Sequence, residues 1–217
     1  DHTFGLDEVR RFNVLQHAPV SIYAEDHTMG HLRRVYQHIF EREQNVNDSF
    51  VATLIPHRLA PAVPVDLYGV RFTPIRLLHG RLPVLGFRIE VASEGLFEQS
   101  ESGVGQASGL PGEISVAQAS RLPSSPAAFP LAYCTDCSAI PPESYPLLRG
   151  LGTLVLDGLR YRKHPTHFSI NEACGVAERV GAGVTYLTHL AHDVGHAEGE
   201  AKLPEGVRLA WDGLIIQ

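Results

Sequence analysis

The chain has 217 residues, 44% of them hydrophobic and 19% charged, with a formal net charge of −6. That length supports one substantial core, so a single domain over 1–217 is expected. The acidic balance gives no electrostatic reason to expect nucleic acid as a partner, and no apolar run approaches the ~20 residues that cross a bilayer. Three cysteines, an odd and sparse set, argue against a disulfide framework and for a reducing, cytoplasmic setting. Twelve histidines are the unusual count, in a residue type that ligates metals and titrates near neutral pH.

Residues 5–16 read as a helix, with Leu6, Val9 and Phe12 recurring and Asp7 and Glu8 in its first turn. Val20-Ser21-Ile22-Tyr23-Ala24 reads as a short buried strand. Thr28 is placed to cap the next helix, whose apolar face carries Leu32, Val35, Tyr36, Ile39 and Phe40. His31 and His38 lie elsewhere on that helix and read as surface histidines. From Phe50 to Val91, runs such as Val65-Asp66-Leu67-Tyr68 and Gly69-Val70-Arg71-Phe72 predict antiparallel strands joined by Pro turns. One run ends at His79-Gly80 and the next starts at Leu85. Residues 93–129, dominated by Gly, Ser, Ala, Pro, Gln and Glu, read as a flexible surface insertion between two strands. Its single basic residue, Arg121, is too little charge for an arm that grips nucleic acid.

Phe129-Pro130-Leu131-Ala132-Tyr133 resumes the sheet and leads into Cys134-Thr135-Asp136-Cys137. No second pair exists to complete a four-cysteine zinc site, and the context does not suit a redox motif. Thr153-Leu154-Val155-Leu156 is a strand that stops at Asp157, and a polar loop follows, ending His164-Pro165-Thr166-His167. Ser169 and Glu172 have capping-box spacing, Ile170, Ala173, Cys174 and Ala177 recur at helical spacing, and Gly181 is placed to end the helix. Val184-Thr185-Tyr186-Leu187-Thr188 is the next strand and delivers His189, with His192 three residues on. Two strand ends and one loop thus bring Asp157, His167 and His189 toward one sheet edge, where open α/β sheets place their chemistry. The stretch from Val207 to Ile216 reads as a closing hairpin with Asp212-Gly213 at its turn.

Tyr186-Leu187-Thr188-His189-Leu190-Ala191-His192-Asp193, preceded by His164-Pro165-Thr166-His167, resembles the metallo-β-lactamase fold. Within it, the branch that contains a phosphoribosyl 1,2-cyclic phosphate phosphodiesterase is the best match. The fold so implied is α/β, an αββα sandwich whose metal signature is His-x-His-x-Asp-His followed by a Gly and a helix. Asp1-His2 look like the last two letters of that signature, and Phe4-Gly5-Leu6-Asp7 like the helix entry. The resemblance therefore implies that the His-x-His pair, with the N-terminal part of the fold, precedes this chain.

Carried over residue by residue, the family pattern implies two divalent ions, Zn²⁺ or Mn²⁺. Asp136 would bridge them, Asp1, His2 and His189 would join it at one ion, and His79 at the other. The pair would activate hydroxide for attack on a small, cyclic phosphodiester. Asp1 and His167 form the expected catalytic set, His167 as general acid toward the leaving alkoxide. His192 matches a residue of a structural metal site. The cysteines at 134, 137 and 174 are read as packing residues. The expected partner is the diester, with a homodimer an open expectation and neither membrane nor nucleic acid expected. Two alternatives stand beside this reading: a tRNA 3′-processing endonuclease of the same fold, and a non-catalytic domain that keeps the fold for binding. Salt-sensitive tRNA binding would mark the first, and absence of metal from the protein the second.

Overall fold

In the computed structural model, which describes residues 2–41, 50–91 and 128–216, the chain divides into two units, Asp1–Ala60 and Pro61–Gln217. Asp1 lies outside the described residues, as does all of the expected insertion except Ala128 and Phe129.

The first unit begins with a 3-10 turn, Leu6–Val9, which continues into helix α1, Arg10–Gln16. Strand β1, Val20–Ala24, pairs in parallel with β2, Leu54–Arg58. Between them lie α2, Asp26–Val35, and the single turn α3, Gln37–Phe40. Met29, Leu32, Tyr36, Ile39 and Ala52 form the core of this unit.

Three details here differ from the sequence expectation. In α1 the buried residue is Asn13, while Phe12, Val14 and Leu15 are exposed. Asn13 uses its whole amide: Nδ2 donates to the carbonyls of Ala18 and Thr53, and Oδ1 accepts from the Thr53 N–H. A buried amide so satisfied costs little, and it ties the helix to the entry of β2. Thr28 lies inside α2, because the chain is still extended at Glu25 and turns helical at Asp26. Val35 is exposed. At about 100° per residue, Met29, Leu32 and Tyr36 share one arc and Val35 falls outside it.

The second unit is built on a seven-stranded sheet in the order β3-β4-β5-β6-β7-β8-β9. Its strands are β3 Val65–Leu67, β4 Val70–His79, β5 Leu82–Val91, β6 Leu131–Cys134, β7 Thr153–Asp157, β8 Val184–Thr188 and β9 Val207–Leu209. Pairing is antiparallel from β3 to β6 and parallel from β6 to β9. The central strand β7 is buried at all five residues, as parallel strands covered on both faces are. Strands β4, β6, β8 and β9 contribute Ile75, Leu77, Ala132, Leu187 and Leu209 to one core. Helix α4, Ile170–Val180, closes that core with Ile170, Ala173 and Ala177, and helix α5, His196–Glu200, precedes β9.

Pro74 and Pro83 fall inside ten-residue strands and not in turns. Each sits where its strand has one strand partner, since β3 reaches β4 only as far as Phe72 and β6 reaches β5 only at Phe87–Ile89. A missing N–H is tolerated on such an open side. At the C-terminus, Asp212-Gly213 do form a turn, closed by the Leu214 N–H to the Trp211 carbonyl with Gly213 at φ 89°. No hairpin forms among the described residues, because β9 pairs in parallel with β8 instead. Among the described residues no helix is long and apolar enough to cross a membrane.

Helix α4 is capped at both ends as its sequence predicts. The Ser169 hydroxyl accepts from the Glu172 N–H, while Glu172 Oε2 accepts from the Ser169 N–H at 3.0 Å. Gly181 ends the helix at φ 65°. The Ser169 hydroxyl also donates to Glu172 Oε2 at 2.6 Å, and that bond, with the one from the Ser169 N–H, holds the Glu172 carboxyl below its ordinary value. The box therefore contributes fully above the unfolded-state value of Glu172 and fades as pH falls through the depressed folded-state one. Ser169→Ala is expected to lower unfolding free energy by about 1 kcal/mol at neutral pH. Urea midpoints read the loss, and it should narrow on acidification through that depressed value; an unchanged midpoint at neutral pH would contradict it.

Candidate metal centre

Four of the five side chains of the site in the second unit stand at, or just past, the same end of a strand. His79 is the last residue of β4, Asp136 follows β6, Asp157 ends β7 and His189 follows β8. His167 comes from the loop before α4. The sheet order β4-β5-β6-β7-β8 then sets these ends in a row.

Loop hydrogen bonds draw the row together. Beyond β6 the chain folds onto the end of β4, with the Ser138 N–H donating to the Leu78 carbonyl at 2.8 Å and the Gly80 N–H to Ser138 Oγ at 3.0 Å. The Phe168 N–H donates to the Cys137 carbonyl at 2.9 Å, which pins the His-bearing loop against the same turn. Gly80, at φ 63°, lets the hairpin tip close on that loop. A Cβ there would meet Thr166 Cγ2 at 3.0 Å.

Asp136 and His189 both adopt the left-handed backbone region, at φ 51° and 61°. For residues other than glycine this conformation costs on the order of 1–3 kcal/mol, and it persists where surrounding contacts over-determine it. The immediate result is that the two side chains meet, with His189 Nε2 3.2 Å from Asp136 Oδ1. His79 Nε2 lies 3.2 Å from His167 Nε2, and the rings of His167 and His189 stack with centroids 4.6 Å apart.

Asp157 underlies this cluster. It is fully buried, and its Oδ2 accepts from the Cys137 N–H at 2.9 Å and from His167 Nδ1 at 2.7 Å. Donation from Nδ1 leaves His167 Nε2 as the atom that faces the other donors. Burial pushes the Asp157 carboxyl above its ordinary value, opposed by the hydrogen bonds from His167 and the Cys137 backbone. Its second oxygen, Oδ1, is buried with no hydrogen-bond partner among the described residues. The sequence put Asp157 at this edge without a role. The available signal was a carboxylate ending an otherwise apolar, fully buried strand.

The donor set suits a divalent cation. One atom each from His79, Asp136 and His167 lie within 4.8 Å of one another, as do atoms from Asp157, His167 and His189. Donors about 2.0–2.2 Å from a tetrahedral ion stand roughly 3.3–3.6 Å apart, and the 3.2 Å separations at this edge are close to that spacing. Neutral imidazoles beside carboxylates are the ligand chemistry of Zn²⁺ and Mn²⁺.

His2 lies in the first unit, exposed in the turn before Leu6. His192 is exposed in the turn after β8 and joins none of the potential ligand groups among the described residues. Cys134 and Cys137 are buried in the core, where burial pushes the Cys134 thiol up to about 12 and raises that of Cys137 as well. Cys174 packs partly against the same core.

The sequence family described as "Beta-lactamase superfamily domain" matches residues 125–190, the stretch that carries Asp136, Asp157, His167 and His189. Among solved structures, a diphosphatase of the PhnP family is similar over 97% of this chain and 64% of its own, at 30% identity and a TM-score of 0.68. The metallo-β-lactamase fold protein YhfI from Bacillus subtilis is similar over 97% of this chain and 70% of its own, at 16% identity and a TM-score of 0.57. Zn²⁺-bound PqqB from Methylobacterium extorquens covers 90% of this chain and 61% of its own, at 14% identity and a TM-score of 0.54. An octanoyltransferase of Porphyromonas gingivalis (strain ATCC BAA-308 / W83) is 26% identical over 216 residues, which are 99% of this chain but 35% of that protein. This chain thus spans about a third of that protein and 64% of the PhnP-family structure. The chain carries the metallo-β-lactamase fold, with a likeness to a PhnP-family diphosphatase that extends to sequence.

Proposed function

We propose that this chain is the metal-dependent catalytic part of a phosphoric diester hydrolase acting on a small, cyclic or activated diester. The single observation that carries the reading is the juxtaposition at one sheet edge of His79, Asp136 and His189 with a His167–Asp157 pair joined at 2.7 Å. The similarity to a diphosphatase of the PhnP family, another enzyme that cleaves bonds to phosphorus, supports it.

His79, Asp136 and His189 would hold the ions, with Asp136 as the bridge and Asp1 and His2 as the further ligands the family pattern implies. Two divalent cations in such a site supply an acidified water and neutralise charge on phosphoryl oxygens. The chain's own groups do the rest. His167 is 11% exposed and gives its Nε2 proton to the departing alkoxide. Asp157 fixes the ring orientation by accepting from Nδ1 and stabilises the imidazolium before the proton leaves. Because this carboxylate is fully buried, the pairing is not shared with water.

Acyl transfer, the activity named for the P. gingivalis relative, finds no support at this edge. The two cysteines nearest it are buried with raised thiol values, and a protonated thiol is a poor nucleophile.

Hydrolysis of bis(p-nitrophenyl) phosphate, with p-nitrophenyl phosphate as the monoester control, tests the proposal. Diester cleavage restored to the chelated protein by Zn²⁺ or Mn²⁺ is expected; no turnover with either ion, or cleavage of the monoester alone, would reject it. Asp157→Asn should lower turnover of an alkyl diester, whose leaving group needs a proton, by roughly 10–100-fold, the usual effect of losing a histidine's orienting partner. Full activity in that variant would show that the 2.7 Å contact has no part in the reaction.

A further inference from the structure

Helix α2 carries a second group of metal-ligating side chains, none of which belongs to the sheet-edge centre. His27 and His31 stand about one turn apart on it, in the His-x-x-x-His spacing that sets two imidazoles on one helix face. Their Nε2 atoms face each other at 3.2 Å, and the rings meet edge to face with centroids 4.5 Å apart. Both residues are exposed, on the side of the helix opposite buried Met29. Arg34 shares that side, and its guanidinium donates to His31 Nδ1.

Two ring nitrogens so placed can take one ion between them. Imidazole nitrogens about 2.0–2.1 Å from a metal stand roughly 2.8–3.4 Å apart for angles from 90° to tetrahedral, and 3.2 Å lies inside that range. Because Arg34 only donates, His31 Nδ1 is an acceptor, and the ring's one proton sits on Nε2 and points at His27 Nε2. An ion bound between the rings takes the place of that proton, which moves to Nδ1 and releases Arg34 to water. Arg34 therefore competes with the metal. Since the spacing exists only in the folded helix, an ion bound here also braces the turn that contains Gly30, the weakest helix former in α2. We propose that His27 and His31 form a second, solvent-facing metal site, a two-imidazole clasp for Zn²⁺, Ni²⁺ or Cu²⁺ completed by water. Imidazole suits these ions, whereas Mg²⁺ prefers oxygen donors.

With two protein ligands the site exchanges its ion readily, so it is read at equilibrium and not after dialysis. The chelated full chain is titrated with Zn²⁺ in a calorimeter, beside His27→Gln, His31→Gln and, as a control on another exposed histidine, His17→Gln. All three positions are exposed, so the substitutions leave both cores intact, which circular dichroism checks. Either substitution in the pair is expected to remove one zinc equivalent from the isotherm. Ligation by the second ring is intramolecular, so its loss weakens that step roughly 100-fold. His17→Gln should keep the equivalent, and Mg²⁺ should give no heat that depends on the pair. Arg34→Ala, which removes the competitor, should strengthen the step severalfold. Isotherms like the wild type's from both pair variants, an equal loss in His17→Gln, or weaker binding in Arg34→Ala overturns the site.

Discussion

Asp136→Ala is expected to leave the protein without bound divalent metal and without diesterase activity. Asp136 is the carboxylate that the sheet places in the middle of the row, and its Oδ1 already lies against His189 Nε2 at 3.2 Å. It is 25% exposed, in a turn held to β4 by the Ser138 and Ala139 backbone, so truncation removes a donor without opening the core. Loss of a mere orienting residue lowers metal affinity about 10–100-fold. Loss of the bridge should exceed that, and both ions should go together. Elemental analysis after dialysis, with circular dichroism to show that the fold persists, gives the answer. A variant that keeps a full complement of metal would show that Asp136 is not the bridge.

His167→Ala should separate proton donation from everything else. A general acid contributes about 10²–10⁴-fold where the leaving group needs a proton. An alkyl diester needs one, and p-nitrophenolate hardly does. The variant should therefore lose most of its turnover on the alkyl substrate, lose little on the nitrophenyl one, and retain its metal. Because His167 Nε2 is also 3.2 Å from His79 Nε2, the same experiment weighs the competing role of ligand. Metal loss with equal decline on both substrates would reassign His167 from acid to ligand.

Much of this edge could be read from sequence because its signals are local. The strand from Thr153, the Ser169–Glu172 box, Gly181 as helix stop and the strand delivering His189 all rest on spacings shorter than a helix. Asp136, His79 and His189 emerged together only through the resemblance to a family pattern, since nothing within a few residues of any of them announces the others. What stayed hidden was the choice of partner. Val207–Leu209 looks ready for a hairpin, and only the presence of β8 beside it decides for parallel pairing. Asn13 is polar in a helix pattern, and its burial follows from Thr53, forty positions away. Asp157 ends a buried strand in plain view, but its pairing with His167 depends on how a loop returns over the sheet. Non-local geometry of this kind leaves no periodic trace.

Anomalous diffraction at the zinc edge, from crystals grown with Zn²⁺, would test the central claim most directly. A strong peak is predicted at coordination distance, about 2.0–2.2 Å, from the Asp136 carboxylate and the His189 ring, on the side of the sheet edge where His79 stands. Well-ordered crystals with no peak among these three side chains, or with zinc bound only elsewhere, would contradict it.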